Sequence, residues 1–443
     1  MRELRTLFSP ASGIRMGRWV AAGVFVALAI GGQSLSAQIS RVGAISQLIT
    51  SGNLSVSPMK GNDTAYDPVN HVFLVVGTCY NSGSCPVGLG QMFGVFTNTS
   101  GAPVGAAFSI KGAGDGHFPR ARYSPHVNGG QGGFLVVWSQ EGGGGGNLIR
   151  TRVVAYSAGT GVLVGAENTI NGGGSYSWVE SAPSLAYSPT SQLFFVAWRT
   201  YPHAPGAYVA SRRVDITGAP VGDVVRLSAG FGRDPSVAWN SDTNQFGVTF
   251  GNENGAGSAG FMAFAVVSPT DGTFTRQSYG PIAGFTYITD LDYSPDTQRY
   301  LMVWHQQPGG TAEVMAAEVD AAGSIVAQGL LTRSFPGYDA LSVVRNPITG
   351  TFQLVSLGTA PLGDDSIAGT ELNRNGARTG NLVELGPGVS GKYPRISTSA
   401  DSAIWSVSFS DGFRSIKSFT STTTSTGGGE AGTLGAVATP TPT

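Results

Sequence analysis

Residues with the potential for chemistry recur beside short apolar runs along this chain. Asp290, Asp292, Glu180 and Asp339 are carboxylates of this kind, and Arg120, Arg122, Arg233 and Arg395 sit in comparable settings. Two carboxylates held on either side of a glycosidic bond are the standard device for general acid/base cleavage of a sugar polymer. Arginines with exposed aromatics offer a second chemistry, because a flat ring stacks on a sugar face and a guanidinium grips a hydroxyl or acid. Tyr176, Trp178, Phe231, Phe285, Tyr287, Tyr338 and Tyr393 are the aromatics available for that. His305 adds an imidazole near the same loops, and the stretch SPDTQRYLMVWH that leads to it also carries Ser294, Asp296 and Thr297.

Several more specific chemistries fail on spacing. An Asp box of the sialidase type, S-x-D-x-G-x-x-W, needs glycine where Gln298 stands and a tryptophan closer than Trp304. Phosphate-binding glycine loops, G-x-S-x-G nucleophile elbows and D-x-D-x-D-G calcium loops do not occur. His117, His203 and His305 could supply three metal ligands, but they belong to repeats that are not all neighbours, so no metal and no cofactor is expected. Cys79 and Cys85 are the only cysteines. In an exported chain such a close pair reads as a disulfide, worth about 2 kcal/mol for so short a ring.

The elements that position these residues repeat. PRARYSPHVNGGQGGFLVVWSQ from Pro119 has relatives in PSLAYSPTSQLFFVAWRT from Pro183 and PSVAWNSDTNQFGVTFGN from Pro235. Others begin at Asp63, Leu291, Leu341 and Pro394. Aligned on the residue before the Ser/Asp/Asn turn, the copies fall at Tyr66, Tyr123, Tyr187, Trp239, Tyr293, Arg345 and Thr398, at steps of 57, 64, 52, 54, 52 and 53. Each copy has two β-rich runs split by a turn, then a second pair such as RTRVVAYSAGTGVLVG. Four strands per unit, repeated seven times, specify an all-β, seven-bladed β-propeller of four-stranded antiparallel blades. The seventh unit lacks a fourth strand after FRSIKSFTST, while ISRVGAISQLI at 39–49 has no partner. The N-terminal strand is therefore expected to close the last blade, which removes an exposed edge.

Repeats of the form P-x-V-A-Y-S-P, F-L-V-V-W and V-D-x-x-G resemble those of secreted bacterial seven-bladed propellers, kelch-like in architecture, over residues 39 to 422. The Gly-His and Trp-Asp signatures of WD40 blades and the double glycine of true kelch repeats are missing. The resemblance implies a fold and is nearly silent on activity.

In a propeller the first strand of each blade lines the axis, and the Ser-Pro corners lie on the face opposite the variable loops. The third residue before each corner gives Asp63, Arg120, Ser184, Ser236, Asp290, Ser342 and Arg395 around the ring. A structural belt of paired charges is the favoured expectation there, since half-buried charges normally occur in pairs. Arg120, Arg233, Tyr176, Trp178, Tyr287, Tyr338, Tyr393 and His305 are the candidate binding residues; Asp290, Asp292, Glu180 and Asp339 are the catalytic candidates.

The remaining features concern compartment and partners. Arg2, Arg5, Arg15 and Arg18 precede WVAAGVFVALAIGG, and small residues follow up to Ala37. That pattern reads as a signal peptide over 1–37, since about 14 apolar residues at 1.5 Å each fall short of a hydrocarbon core of roughly 30 Å. The propeller should span 38–422 and a flexible Thr/Gly/Pro-rich tail 423–443. A net charge of -1 without a basic block excludes the counterion release that drives nucleic-acid binding. The expectation is a secreted or cell-surface protein, without a membrane span after cleavage, that engages an extracellular glycan or protein. Its rival is an extracellular polysaccharide hydrolase or lyase.

Overall fold

The computed structural model describes residues 39–50, 59–79, 92–111, 116–141, 147–171, 183–200, 207–228, 230–253, 260–282, 286–307, 312–334, 341–357, 366–386, 391–411, 415–423 and 434–436. They form seven antiparallel sheets, each built on four strands in the order they leave the axis. A helical turn at Val127–Gly130 is the only helix among the described residues. The seven-bladed propeller read from the repeat is thus the observed fold.

The second strands explain why the sequence runs are apolar without alternation. A strand sends successive side chains to opposite faces, and a blade is covered on both. In blade five, Tyr300, Met302 and Trp304 pack with Phe264 and Met262 of blade four. Leu301 and Val303 pack the other way, against Leu341 and Leu354 of blade six. Trp138 and Trp198, at the position of Trp304, and Trp405, at the position of Tyr300, are buried in the corresponding layers between other blades.

Arginines stitch the outer parts of the blades. Arg152 donates to Ile110 O at 3.2 Å, Arg212 to Ile170 O at 2.9 Å and Arg276 to Leu227 O at 3.2 Å. Arg378 reaches Leu331 O and Arg41 reaches Leu385 O, both at 3.2 Å. In each case a long side chain from one blade satisfies a carbonyl at the outer edge of the blade before it, where the sheet itself supplies no donor.

Ring closure joins the two ends of the fold. Ile39–Thr50 pairs antiparallel with Ser415–Thr423, from Ile39 opposite Thr423 to Thr50 opposite Ser415. Ile39 is 1% exposed and packs with Val355, Ile367 and Trp405, so the closing strand also fills the layer between blades six and seven. Within the tail, Gly435–Ala436 pairs with Gln328 and Ala327 on the outer edge of blade five. Leu434 enters the core there beside Leu301 and Leu331.

Deleting residues 39–49 removes the outer strand of blade seven and its buried isoleucines, so the shortened chain is expected to lose cooperative unfolding and precipitate on expression. Thermal denaturation followed by circular dichroism checks this. A soluble deletion that melts in one sharp transition contradicts the closure.

Candidate functional site

The inner strands, Met59–Asp67, Gly116–Ser124, Ser184–Ser188, Phe231–Asn240, Thr286–Ser294, Leu341–Arg345 and Gly391–Thr398, surround a central cavity of about 670 Å³. Each is hydrogen-bonded to its own blade along one edge only. The other edge faces the channel with its amides and carbonyls unpaired by any ladder, and such groups need partners when buried.

Side chains at the third position before the corner provide them. The Ala121 amide donates to Asp63 Oδ2 at 2.9 Å, the Val237 amide to Ser184 Oγ at 3.1 Å and the Val343 amide to Asp290 Oδ2 at 2.9 Å. In all three the acceptor lies one blade earlier than the amide and one register step away. Arginine at the same position works in the opposite sense. Arg120 Nη1 donates to Asn62 O at 3.3 Å and to its own neighbour Pro119 O at 2.9 Å, while Arg395 Nη1 reaches Leu341 O at 3.2 Å. Asp63, Ser184 and Asp290 therefore serve the amide of the blade ahead, and Arg120 and Arg395 serve the carbonyl of the blade behind.

Asp290 is the most heavily engaged. Ser236 Oγ at 2.6 Å and the Leu291 amide at 3.0 Å donate to Oδ1; Ser342 Oγ and the Val343 amide, both at 2.9 Å, donate to Oδ2. Four donors from blades four, five and six converge on one carboxylate. Asp63 takes Arg122 at 3.3 Å besides its amide. Asp292 accepts from the Tyr293 amide at 2.8 Å and the Arg345 amide at 2.7 Å. Burial outweighs those bonds and the attraction of Arg122, and pushes the Asp292 carboxyl up to about 6.

The loop-side mouth has its own recurring geometry. Where each inner strand enters, the register slips between Met59 and Asn62, His117 and Arg120, Arg233 and Ser236, and Lys392 and Arg395. The residue inside each bulge is left-handed: Gly61 at φ 82, Phe118 at 49, Asp234 at 47 and Tyr393 at 51. Gly61 is required twice over, because a Cβ there would also lie 2.9 Å from Phe118 Cα. The other three each precede a proline, which ordinarily drives the preceding residue to extended conformations. Neighbours hold the bulges by their carbonyls, with Asn62 Nδ2 on Tyr393 O at 3.0 Å and Thr289 Oγ1 on Asp234 O at 2.7 Å. Phe118 and Tyr393 meet edge to face at 6.2 Å on the cavity wall, and Arg199, Arg233 and Asp234 line the same mouth.

The opposite face is a woven rim. Tyr66 donates to Asp401 at 2.8 Å, Tyr293 to Asp242 at 2.6 Å, and Tyr187 meets His126 at 2.6 Å, so the aromatic corner residue of one blade bonds the turn of the blade before it. SPDTQ belongs to this rim: Ser294 is buried, and Asp296 pairs with Arg345 of blade six. Its Gln298 takes φ 55, as His71, Gln192 and Asn244 do at the matching positions. The left-handed corner that an Asp box gives to glycine is filled here by side chains with polar tips.

The structure brings together Arg120, Arg233, Asp290, Asp292 and Tyr393 on the wall of one channel. His305 lies elsewhere. It was expected at the exposed rim, but it is 5% exposed and both ring nitrogens lack hydrogen bonds. The second strand continues through Gln306, and alternation turns His305 opposite to Trp304, into the layer between blades. Burial pushes its imidazole down to about 4. Tyr176, Trp178, Glu180, His203, Phe285, Tyr338, Asp339, Cys85 and the side chains of Cys79, Phe231 and Tyr287 lie outside the described residues. Asp234 was expected near the axial mouth from its place beside Arg233, whereas Phe118 and Arg199 were not singled out from sequence; Phe118 stands directly before the repeat's proline, which was the available signal.

No family model matches the chain, and no curated protein matches it. Among solved structures, the Dos1 propeller is 11% identical with a TM-score of 0.46, covering 90% of this chain and 98% of that one. An oligogalacturonate lyase in complex with manganese is 10% identical at 0.46, covering 87% and 98%. An N-acetylgalactosamine deacetylase from F. plautii, in complex with blood group B trisaccharide, is 13% identical at 0.36, covering 65% and 91%. Likenesses this distant carry no argument about activity.

Asp290→Ala leaves two serines and two amides without this acceptor, and is expected to destabilise the protein by about 3 kcal/mol in urea unfolding. Asp292 gives a pH signature. Its carboxyl holds a proton up to about pH 6 when folded and only to about 4 when unfolded, so its contribution to stability is present below about pH 4 and lost as pH rises through about 6. The loss is at most about 3 kcal/mol. Urea melts at intervals from pH 4 to 7 should show that decline as the difference between the wild type and Asp292→Asn, because the buried His305 imidazole, pushed down to about 4, gives both proteins a slope of the opposite sign.

Proposed function

We propose that this chain is a secreted or cell-surface binding module that engages a glycan or protein at the loop-side mouth of its axial channel. The observation that carries the reading is the engagement of Asp290 by four donors. A carboxylate so occupied is an acceptor that ties blades together, and taking or giving a proton would break that work. The mouth supplies what recognition needs: an aromatic pair in Phe118 and Tyr393, with Arg233 and Asp234 lining the same cavity, which is within the size range of ligand pockets. Backbone strain at Phe118, Asp234 and Tyr393 supports the same assignment, since left-handed residues before proline persist where a fixed side-chain direction is needed. Export rests on the N-terminal pattern of arginines, apolar run and small residues.

One observation favours the hydrolase or lyase reading. Asp292, with a carboxyl held near pH 6, has the protonation behaviour of a general acid or base on the channel wall.

Glycan-array binding by the mature protein, together with assays for reducing ends and unsaturated products on a polysaccharide panel, separates the two. The expected outcome is binding without product release, weakened about tenfold in Tyr393→Ala through loss of ring stacking. Product release by the wild type that disappears in a folded Asp292→Asn variant would overturn the binding reading.

A further inference from the structure

The channel contains two guanidinium groups that form no ion pair among the described residues. Arg120 in blade two and Arg395 in blade seven occupy the same register position and flank blade one. Both line the central cavity. Each uses only Nη1, and only on carbonyl oxygens. Arg395 Nε is enclosed without a partner. Neither has a carboxylate partner among the described residues.

The carboxylates nearby are already engaged. Asp63, between the two arginines in ring order, accepts from the Ala121 amide and Arg122. Asp290 has its four donors. Both still act on Arg120 at a distance, yet burial and the repulsion of Arg395 prevail and depress the Arg120 guanidinium to about 9. Arg120 is 7% exposed, and a buried cation with a like charge as neighbour is costly unless an anion joins it. Serine stands at this register position in blades three, four and six, so the ring does not require arginine there for closure.

We infer that the axial channel holds an oxyanion between Arg120 and Arg395, bound through the guanidinium N–H groups that carbonyls leave open. Two forks lining one cavity from blades on either side of Asp63 suit the planar, multi-acceptor geometry of a carboxylate, and sulfate offers the same acceptors. The anion comes either from an acidic sugar unit or as a free small ion. This inference stands on the channel alone and does not depend on the loop face binding a glycan.

The test is thermal denaturation of the mature wild-type protein with glucuronate, glucose or sulfate, at constant ionic strength set with chloride. Glucuronate should raise Tm saturably by about 2 °C or more, and glucose should not. An equal rise with sulfate assigns the site to free oxyanions, and a rise with glucuronate alone assigns it to an acidic sugar. In Arg395→Ser, which places there the residue of three other blades, glucuronate or sulfate affinity should fall at least tenfold. No rise with either anion, or an undiminished rise in the folded variant, overturns the inference. Should the variant fail to fold, wild-type crystals soaked in glucuronate decide: density between the two guanidinium groups supports the site, and its absence overturns it.

Discussion

Seven inner strands each present an unpaired backbone edge to a closed channel, and the fold depends on how those edges are satisfied. Pairing the inner strands with one another would flatten the splay between blades and destroy the radial arrangement. The chain instead uses the side chain three residues before the corner in five of the seven blades. Asp63, Ser184 and Asp290 accept from the amide of the next blade, and Arg120 and Arg395 donate to the carbonyl of the previous one. The same logic reappears at larger radius, where Arg152, Arg212, Arg276, Arg378 and Arg41 reach back to an outer carbonyl. Only 12% of the residues are charged, and many of those named here serve the junctions between blades.

This constraint decides what the channel is free to do. An aspartate that bridges blades is fixed in position and committed as an acceptor. Residues not held by the belt, or held by only part of their hydrogen-bonding capacity, are the ones left to meet a ligand. Arg120 and Arg395 retain open N–H groups, whereas Asp290 has its capacity filled. Asp292 stands between these extremes, bonded to two amides yet buried enough to hold its proton up to about pH 6.

Much of the scaffold was legible in the sequence because it follows from two periods. The 52–64 residue spacing fixed the number of blades, and the missing fourth strand after FRSIKSFTST pointed to Ile39–Thr50 as the closing strand. The candidate site was less accessible. Left-handed Phe118, Asp234 and Tyr393 are not glycines and stand before proline, so local propensity argues against the conformation they adopt. His305 looked like a loop residue because the turn chemistry begins just after it, but one more residue of strand and the alternation of side chains bury it. Which charges pair could not be read along the chain at all. The partners of Asp290 come from three blades, with Ser236 and Ser342 more than fifty residues away on either side.

Amide hydrogen exchange at the axial edge tests the side-chain belt most directly. The amides of Ala121, Val237 and Val343 project from the unladdered edge of their strands and owe their hydrogen bonds to Asp63, Ser184 and Asp290. The account predicts that they exchange as slowly as the ladder amides of the second strands, and that Asp290→Ala accelerates Val343 selectively while Ala121 stays protected. Rapid exchange at all three amides in the wild type, at the rate of exposed turn residues, would contradict it.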